Sequence, residues 1–166
     1  MRTLIVVESC FGNTRQLAEA VAEGLRDAGA DVEVTPAGGA PHDPSHDLVL
    51  LAAPTHNLGL PSAASRAQAG VSTAGETNPG LREWLDRSIA NPATRLVTID
   101  TVMAGRFSGS AARAAHKLAR RRGWAAERGP SFIVAGREGP PVDGETERAR
   151  AWGESLAAGQ RNAPTT

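Results

Sequence analysis

Tyrosine is missing from this chain, and Phe and Trp make up only 4% of it, so a planar ligand would meet few rings. The one cysteine, Cys10, has no partner for an internal disulfide. Lysine is reduced to Lys117 alone, and arginine supplies the other basic charges. Neither sign of charge is in excess: 18 Lys and Arg stand against 18 Asp and Glu. That balance argues against a general nucleic-acid binder and against a strongly acidic surface. No apolar run approaches the length of a membrane span, and the first residues read as a strand and not as a leader. These gaps point to a cytoplasmic protein with no membrane or nucleic-acid partner. The wealth of Ala, Gly and Arg suggests a GC-rich bacterial genome. A chain of 166 residues suffices for one domain with a full core. We expect that domain over residues 1–158 and a flexible tail over 159–166.

What is present is organised around residues 3–25. Leu4, Ile5, Val6 and Val7 form a short apolar run that reads as a buried strand. Ser9, Cys10, Phe11, Gly12, Asn13 and Thr14 follow as a tight turn. From Asn13 the period changes, and Leu17, Ala18, Val21, Ala22 and Leu25 share one helical face. Such a strand–loop–helix junction sits at the carboxyl edge of a parallel sheet, where ligands bind. Backbone N–H groups, small hydroxyls and a helix N-terminus make a receptor for phosphate. Ser9, Asn13 and Thr14 offer donors, and Gly12 lets the backbone approach. A mononucleotide phosphate is therefore one reading. The lack of Gly-x-x-x-x-Gly-Lys sets a nucleoside triphosphatase aside, and the lack of Gly-x-Gly-x-x-Gly weakens a dinucleotide site. A cysteine phosphatase is another reading, since Cys10 to Arg15 resembles the phosphate loop of low-molecular-weight tyrosine phosphatases. That loop is one residue short here, and no Asp-Pro acid stands near the C-terminus. A plain turn with Cys10 as a small buried residue is the third.

The rest of the chain alternates. The first helix is expected over 13–28 with Gly29 as its stop, then a strand over 31–35 with Val32 and Val34 on one face. A loop over 36–45 follows, and its His42, with His46, reads as solvated and not as a metal site. Residues 47–53 are continuously apolar, which suits the middle of a parallel sheet. Pro54 to Pro61 then form a shaped loop. A short helix over 62–69 and a flexible stretch over 70–77 lead to Asn78-Pro79, a helix start with Asn as its cap. A fourth strand over 95–100 runs into a loop over 101–109. Ser110 opens a helix to Arg122 with Ala111, Ala112, Ala115, Leu118 and Ala119 inside. Arg113, Lys117, Arg120, Arg121 and Arg122 crowd its outside. They either answer the dipole at the C-terminal end or form a docking patch for an acidic partner. A fifth strand over 131–135 and a last helix capped near Asp143 complete the chain. The sum is a doubly wound α/β domain with a five-stranded parallel sheet of order 2-1-3-4-5. The loops at 9–14, 54–61 and 101–109 then converge on one crevice.

Ser9-Cys10-Phe11-Gly12-Asn13-Thr14 resembles the phosphate loop of the flavodoxin family, Ser/Thr-x-Thr-Gly-Asn-Thr, with Phe11 in place of a hydroxyl and Cys10 as a weaker donor. Pro54-Thr55-His56 is similar to the start of the ring-contacting loop in flavodoxin-like quinone reductases, and Asp100-Thr101 to the start of the other ring loop. The likeness covers nearly the whole chain, to about Leu156. It implies a flavodoxin-like fold, flavin mononucleotide (FMN) as cofactor and electron transfer as function. By the same resemblance Ser9, Cys10, Phe11, Gly12, Asn13 and Thr14 form the phosphate seat. Pro54, Thr55, His56, Asn57, Leu58 and Gly59 border the isoalloxazine, and the segment from Thr101 to Phe107, Arg106 included, closes its pyrimidine side. Phe107 and His56 are the local planar candidates for stacking. His56 is also the candidate catalytic residue, as a proton donor to a reduced quinone. With no acid in residues 54–61 and Arg106 beyond Asp100, the midpoint potential is expected above that of acidic flavodoxins. Three functions stay open. One is an FMN electron carrier serving a redox partner protein. A second is an FMN-dependent NAD(P)H:quinone-type reductase acting on a small quinone-like acceptor. The third is a flavodoxin-fold binding module that has lost its flavin. A monomer or a homodimer is expected in each case.

Overall fold

The computed structural model describes residues 1–70, 79–105 and 109–161. The strands are β1 (Arg2–Val7), β2 (Asp31–Pro36), β3 (Leu48–Pro54), β4 (Arg95–Met103) and β5 (Ala125–Val134). β1 and β3 are apolar runs too continuous to leave one face wet, which suits the middle of a sheet covered on both sides, whereas β2 and β5 alternate or are interrupted, as edge strands can be. The five strands pair in parallel in the order β2-β1-β3-β4-β5, the order the sequence implies. Around them lie α1 (Asn13–Asp27), α2 (Ala63–Gln68), α3 (Leu81–Arg87), α4 (Ala111–Arg121) and α5 (Glu145–Arg161). No helix among the described residues is long and apolar enough to cross a membrane.

Successive side chains leave a strand on opposite faces, so chain neighbours enter different cores. Leu4, Val6, Val49 and Leu51 pack beneath α3 and α4, against Leu81, Trp84, Leu85 and Ala115. Ile5, Val7, Leu48 and Leu50 pack beneath α1 and α5, against Leu17, Val21, Leu25 and Leu156. Each such Leu or Ile contributes about 1.5–3 kcal/mol by leaving water. α1 and α5 meet closely because neither has a side chain at the crossing. A Cβ on Gly24 would strike the carbonyl of Arg150, and one on Gly153 the carbonyl of Val21. The cores thereby fix the edge on which all the strands end, and the segments that follow β1 and β3 gather there beside the end of β4.

Four boundaries differ from the sequence reading. β4 runs past Asp100 to Met103, because Thr101, Val102 and Met103 pair with Phe132, Ile133 and Val134; Thr101 is thus a strand residue and not a loop residue. β5 begins at Ala125 and not at 131. Gly129 and Pro130 lie inside it, where the pairing with β4 shifts register between Thr98 and Asp100. An edge strand tolerates Pro at such an irregularity, and Gly129 is needed there because a Cβ would press on Ile99 and Trp152. α3 begins at Leu81 with Gly80 as its cap residue, and Pro79 stays outside it. α5 continues through Gly159 to Arg161, so the start of the expected tail is helical. Asn78, the flexible stretch from 71 on, and residues 162–166 lie outside the described residues.

Candidate functional site

A crevice opens at the carboxyl edge of the sheet. Its walls are Cys10, Phe11, Asn13 and Thr14 after β1, Pro54, Thr55 and His56 after β3, and Thr101 in β4. The sequence reading placed all eight there. Ser9 and Gly12 adjoin the walls in the chain without lining them, and Asn57, Leu58 and Gly59 also stay off them. Arg106 and Phe107 lie outside the described residues. The enclosed volume is about 80 Å³, well under the roughly 300 Å³ at which pockets begin to bury a whole cofactor-sized ligand. The crevice has room for only the compact end of such a ligand.

The junction after β1 is built for an anion. Gly12 precedes α1 with φ 91°, and open space surrounds the position of a Cβ, so backbone and ligand can meet there. It gives α1 no side-chain cap, and the first turn carries no acidic residue. Among the described residues no side chain accepts from the amides of Asn13 or Thr14, and the positive end of the helix dipole is left uncompensated. The Ser9 hydroxyl accepts from the Arg15 amide at 3.3 Å, which keeps its own proton available. The buried hydroxyls of Thr14 and Thr101 share one hydrogen bond of 2.9 Å; two protons and one bond leave one proton to offer. Cys10 is different. Burial, then the Glu8 carboxylate, push its thiol up to about 11, against the pull of Arg66. A thiol protonated at neutral pH is a poor nucleophile, which argues against the phosphatase reading.

A buried carboxylate ties the second wall to the third. Asp100 Oδ2 accepts from the Thr55 hydroxyl at 3.1 Å, the Ser110 hydroxyl at 2.7 Å and the Ala112 amide at 2.9 Å. Thr55 in turn accepts from the Ala111 amide at 2.9 Å. The Thr55 hydroxyl is therefore committed to architecture, and the residue lines the crevice with its bonds already made. Next comes a tight turn. His56 and Gly59 exchange both backbone hydrogen bonds at 2.9 Å, and Asn57 and Leu58 between them have φ of 46° and 67°. This is a type I′ turn, which favours Asn-Gly. A leucine in the left-handed region costs about 1–2 kcal/mol. His56 points into the crevice, whereas Leu58, 67% exposed, borders a separate groove with Gly109, Ser110 and Arg113. The Ser110 amide donates to the Leu58 carbonyl at 3.3 Å.

Met103, within the segment 101–107 that the sequence reading brought to the site, also lines the crevice. Val134, Gly136 and Arg137, which were not singled out from the sequence, complete its walls. The Arg137 guanidinium lies 5.9 Å from the centre of the Phe11 ring and donates to the Gln68 carbonyl at 3.3 Å. Phe11 is thus held in a cation–π contact. Burial first, then Arg137 and Arg66, hold the His56 imidazole below its ordinary value, so it is neutral at pH 7 and bonds without a stored proton. Beneath the junction, Glu8 meets Arg66 at 3.1 Å and accepts from the Leu81 amide at 2.9 Å, while Arg66 reaches Glu83 at 2.8 Å. Burial raises the Glu8 carboxyl, with the Leu81 amide and Arg66 opposing it. A carboxylate directly after an apolar strand was the available signal for Glu8, and a lone cation between glycines at 136–139 was the signal for Arg137. Among the described residues no group of three His, Cys, Asp or Glu is placed to hold a metal.

No family model matches the chain, and neither does any curated protein. Solved structures do. A flavodoxin from the domain Archaea superposes with a TM-score of 0.68 at 14% identity, over 98% of this chain and 100% of that one. Oxidised flavodoxin 1 from Bacillus cereus gives 0.67 at 17% identity, over 99% and 100%. A flavodoxin, WrbA-like protein from Agrobacterium tumefaciens gives 0.59 at 18% identity, over 98% and 99%. The described residues have the flavodoxin-like fold.

Proposed function

We propose that this flavodoxin-like chain binds FMN in the crevice and transfers electrons through it. The observation that carries the reading is the junction at Gly12: an uncapped helix N-terminus, an open left-handed glycine and spare hydroxyl protons in one place. That donor set fits a phosphate monoester. The Asn13 and Thr14 amides, the Ser9 hydroxyl and the Thr14–Thr101 pair would hold it. Pro54, His56, Met103 and Phe11 surround the mouth, where an isoalloxazine would lie. Bound FMN would supply reversible uptake of electrons; the chain supplies position and charge. Neutral His56 offers a hydrogen bond to the ring or to a substrate, and Arg137 brings positive charge to the crevice. The potential-raising role expected of Arg106 falls on a residue outside the described ones, and Arg137 supports the same direction.

Titration with FMN and riboflavin, followed by fluorescence quenching, tests this. FMN should bind about tenfold or more tightly than riboflavin, the difference of one or two charge-assisted hydrogen bonds. Gly12→Val should remove that advantage and leave riboflavin binding unchanged. No quenching at excess FMN would sink the reading and leave the binding-module alternative. Steady oxidation of a nicotinamide by the FMN-loaded chain, accelerated by a quinone, would favour the reductase over the carrier.

A further inference from the structure

The outer side of α4 is a second surface with a definite chemistry. Arg113, His116, Lys117, Arg120 and Arg121 line a groove of about 440 Å³. Arg113, Lys117 and Arg128 line another of about 530 Å³, which Leu58 borders. Among the described residues no carboxylate lines either. Among the described residues the side chains of Arg113, Lys117, Arg120, Arg121 and Arg128 make no ion pair or hydrogen bond. Arg66, Arg95, Arg122, Arg148 and Arg150, by contrast, each hold a carboxylate. The helix dipole accounts for Arg120 and Arg121, which stand in the last turn. It does not account for Arg113, which sits in the first turn where the dipole opposes a cation, or for Arg128, which is on β5. Leu58 adds an apolar knob, 67% exposed and held at φ 67°. The four-residue turn that carries it also carries His56, so one turn faces the crevice and the basic groove at once.

An exposed leucine ringed by unpaired cations is the layout of a protein-docking surface, with an apolar anchor inside a charged rim. We propose that the α4 face, anchored by Leu58, docks an acidic electron-carrier protein beside the crevice. The partner's redox character rests on the FMN reading above; its acidic surface rests on the charges alone. A nucleic acid fits less well, since a phosphate backbone gains nothing from Leu58 and a chain of zero net charge attracts a long polyanion weakly. In the docked pair bound FMN would accept one electron from the carrier, which would be oxidised by that one electron, while Arg113, Lys117 and Leu58 hold the carrier beside the crevice.

The probe is a reduced [2Fe–2S] ferredoxin with a strongly acidic surface, mixed with the oxidised, FMN-loaded full chain in a stopped-flow instrument; the opposite-charge control is oxidised basic cytochrome c mixed with the dithionite-reduced, FMN-loaded chain, since a cytochrome c takes electrons from a flavin and does not supply them. The rate with ferredoxin should fall about tenfold or more as salt rises from about 20 to 300 mM. R113E/K117E should lower the low-salt rate about tenfold and flatten that dependence, while FMN quenching stays as in the wild type. L58G should lower the rate several-fold and keep the salt slope. Calorimetry with the FMN-free chain separates the two readings: ferredoxin binding that R113E/K117E abolishes supports the surface even where FMN does not bind. An unchanged rate and binding in R113E/K117E, faster reaction with the cytochrome, tighter binding of a short DNA duplex, or a dimer of this chain that R113E/K117E dissociates would each overturn the proposal.

Discussion

Cys10 shows how a residue in the crevice is disarmed by its neighbours. Half-buried, with the Glu8 carboxylate near, its thiol sits at about 11 against an ordinary 9.0. The folded state thus favours the protonated thiol. That contribution to stability is complete below pH 9 and is lost as pH rises through about 11. Iodoacetamide at pH 8 should therefore alkylate the native chain at least about tenfold more slowly than the urea-unfolded chain, since thiolate fraction sets the rate. Equal rates would show that Glu8 and burial do not act on Cys10. Cys10 and Thr14 were legible because they belong to one local pattern. The role of Glu8 was not, because its partner Arg66 stands 58 positions away and no short window links an acid after β1 to a cation in α2.

Elements carry the next level of constraint, and the turn from His56 to Gly59 is the sharpest case. Its two inward hydrogen bonds demand positive φ at Asn57 and Leu58. Leu58→Gly should relieve about 1 kcal/mol of backbone strain and raise Tm by about 2–4 °C. A calorimetric scan checks this; a lowered Tm would show that Leu58 stabilises the fold by packing and is not merely tolerated there. Stabilisation together with slower reaction with the acidic carrier would mark a residue kept for contact at the expense of conformation. The sequence placed this loop correctly after β3 but gave no sign of its handedness, since Asn-Leu is not a turn dipeptide. β5 illustrates the converse. The strand expected over 131–135 starts at Ala125 and takes in Gly129 and Pro130, which the edge of a sheet accommodates where Trp152 packs against Gly129.

For the whole molecule, alternation of apolar runs and helical periods was enough to give the sheet order, because a crossover of fixed hand leaves few ways to wind five parallel strands. The crevice followed from that order together with the strand–turn–helix pattern around Gly12. Its small volume did not, since that depends on Arg137 and Phe11 meeting from opposite ends of the chain. Charge is distributed on the same scale. The cations of α4 and Arg128 of β5 lie over one side of the sheet, and Asp31 and Glu33 lie in β2 at its opposite edge. Glu127 of β5 is spent on Arg95, so the α4 cations remain a local excess on a chain of zero formal net charge. At pH 6.9, the isoelectric point that its composition gives, that patch and not the net charge sets what the surface binds. The chain should therefore be retained on a sulfonate column at that pH with α4 toward the resin, and R113E/K117E should pass through.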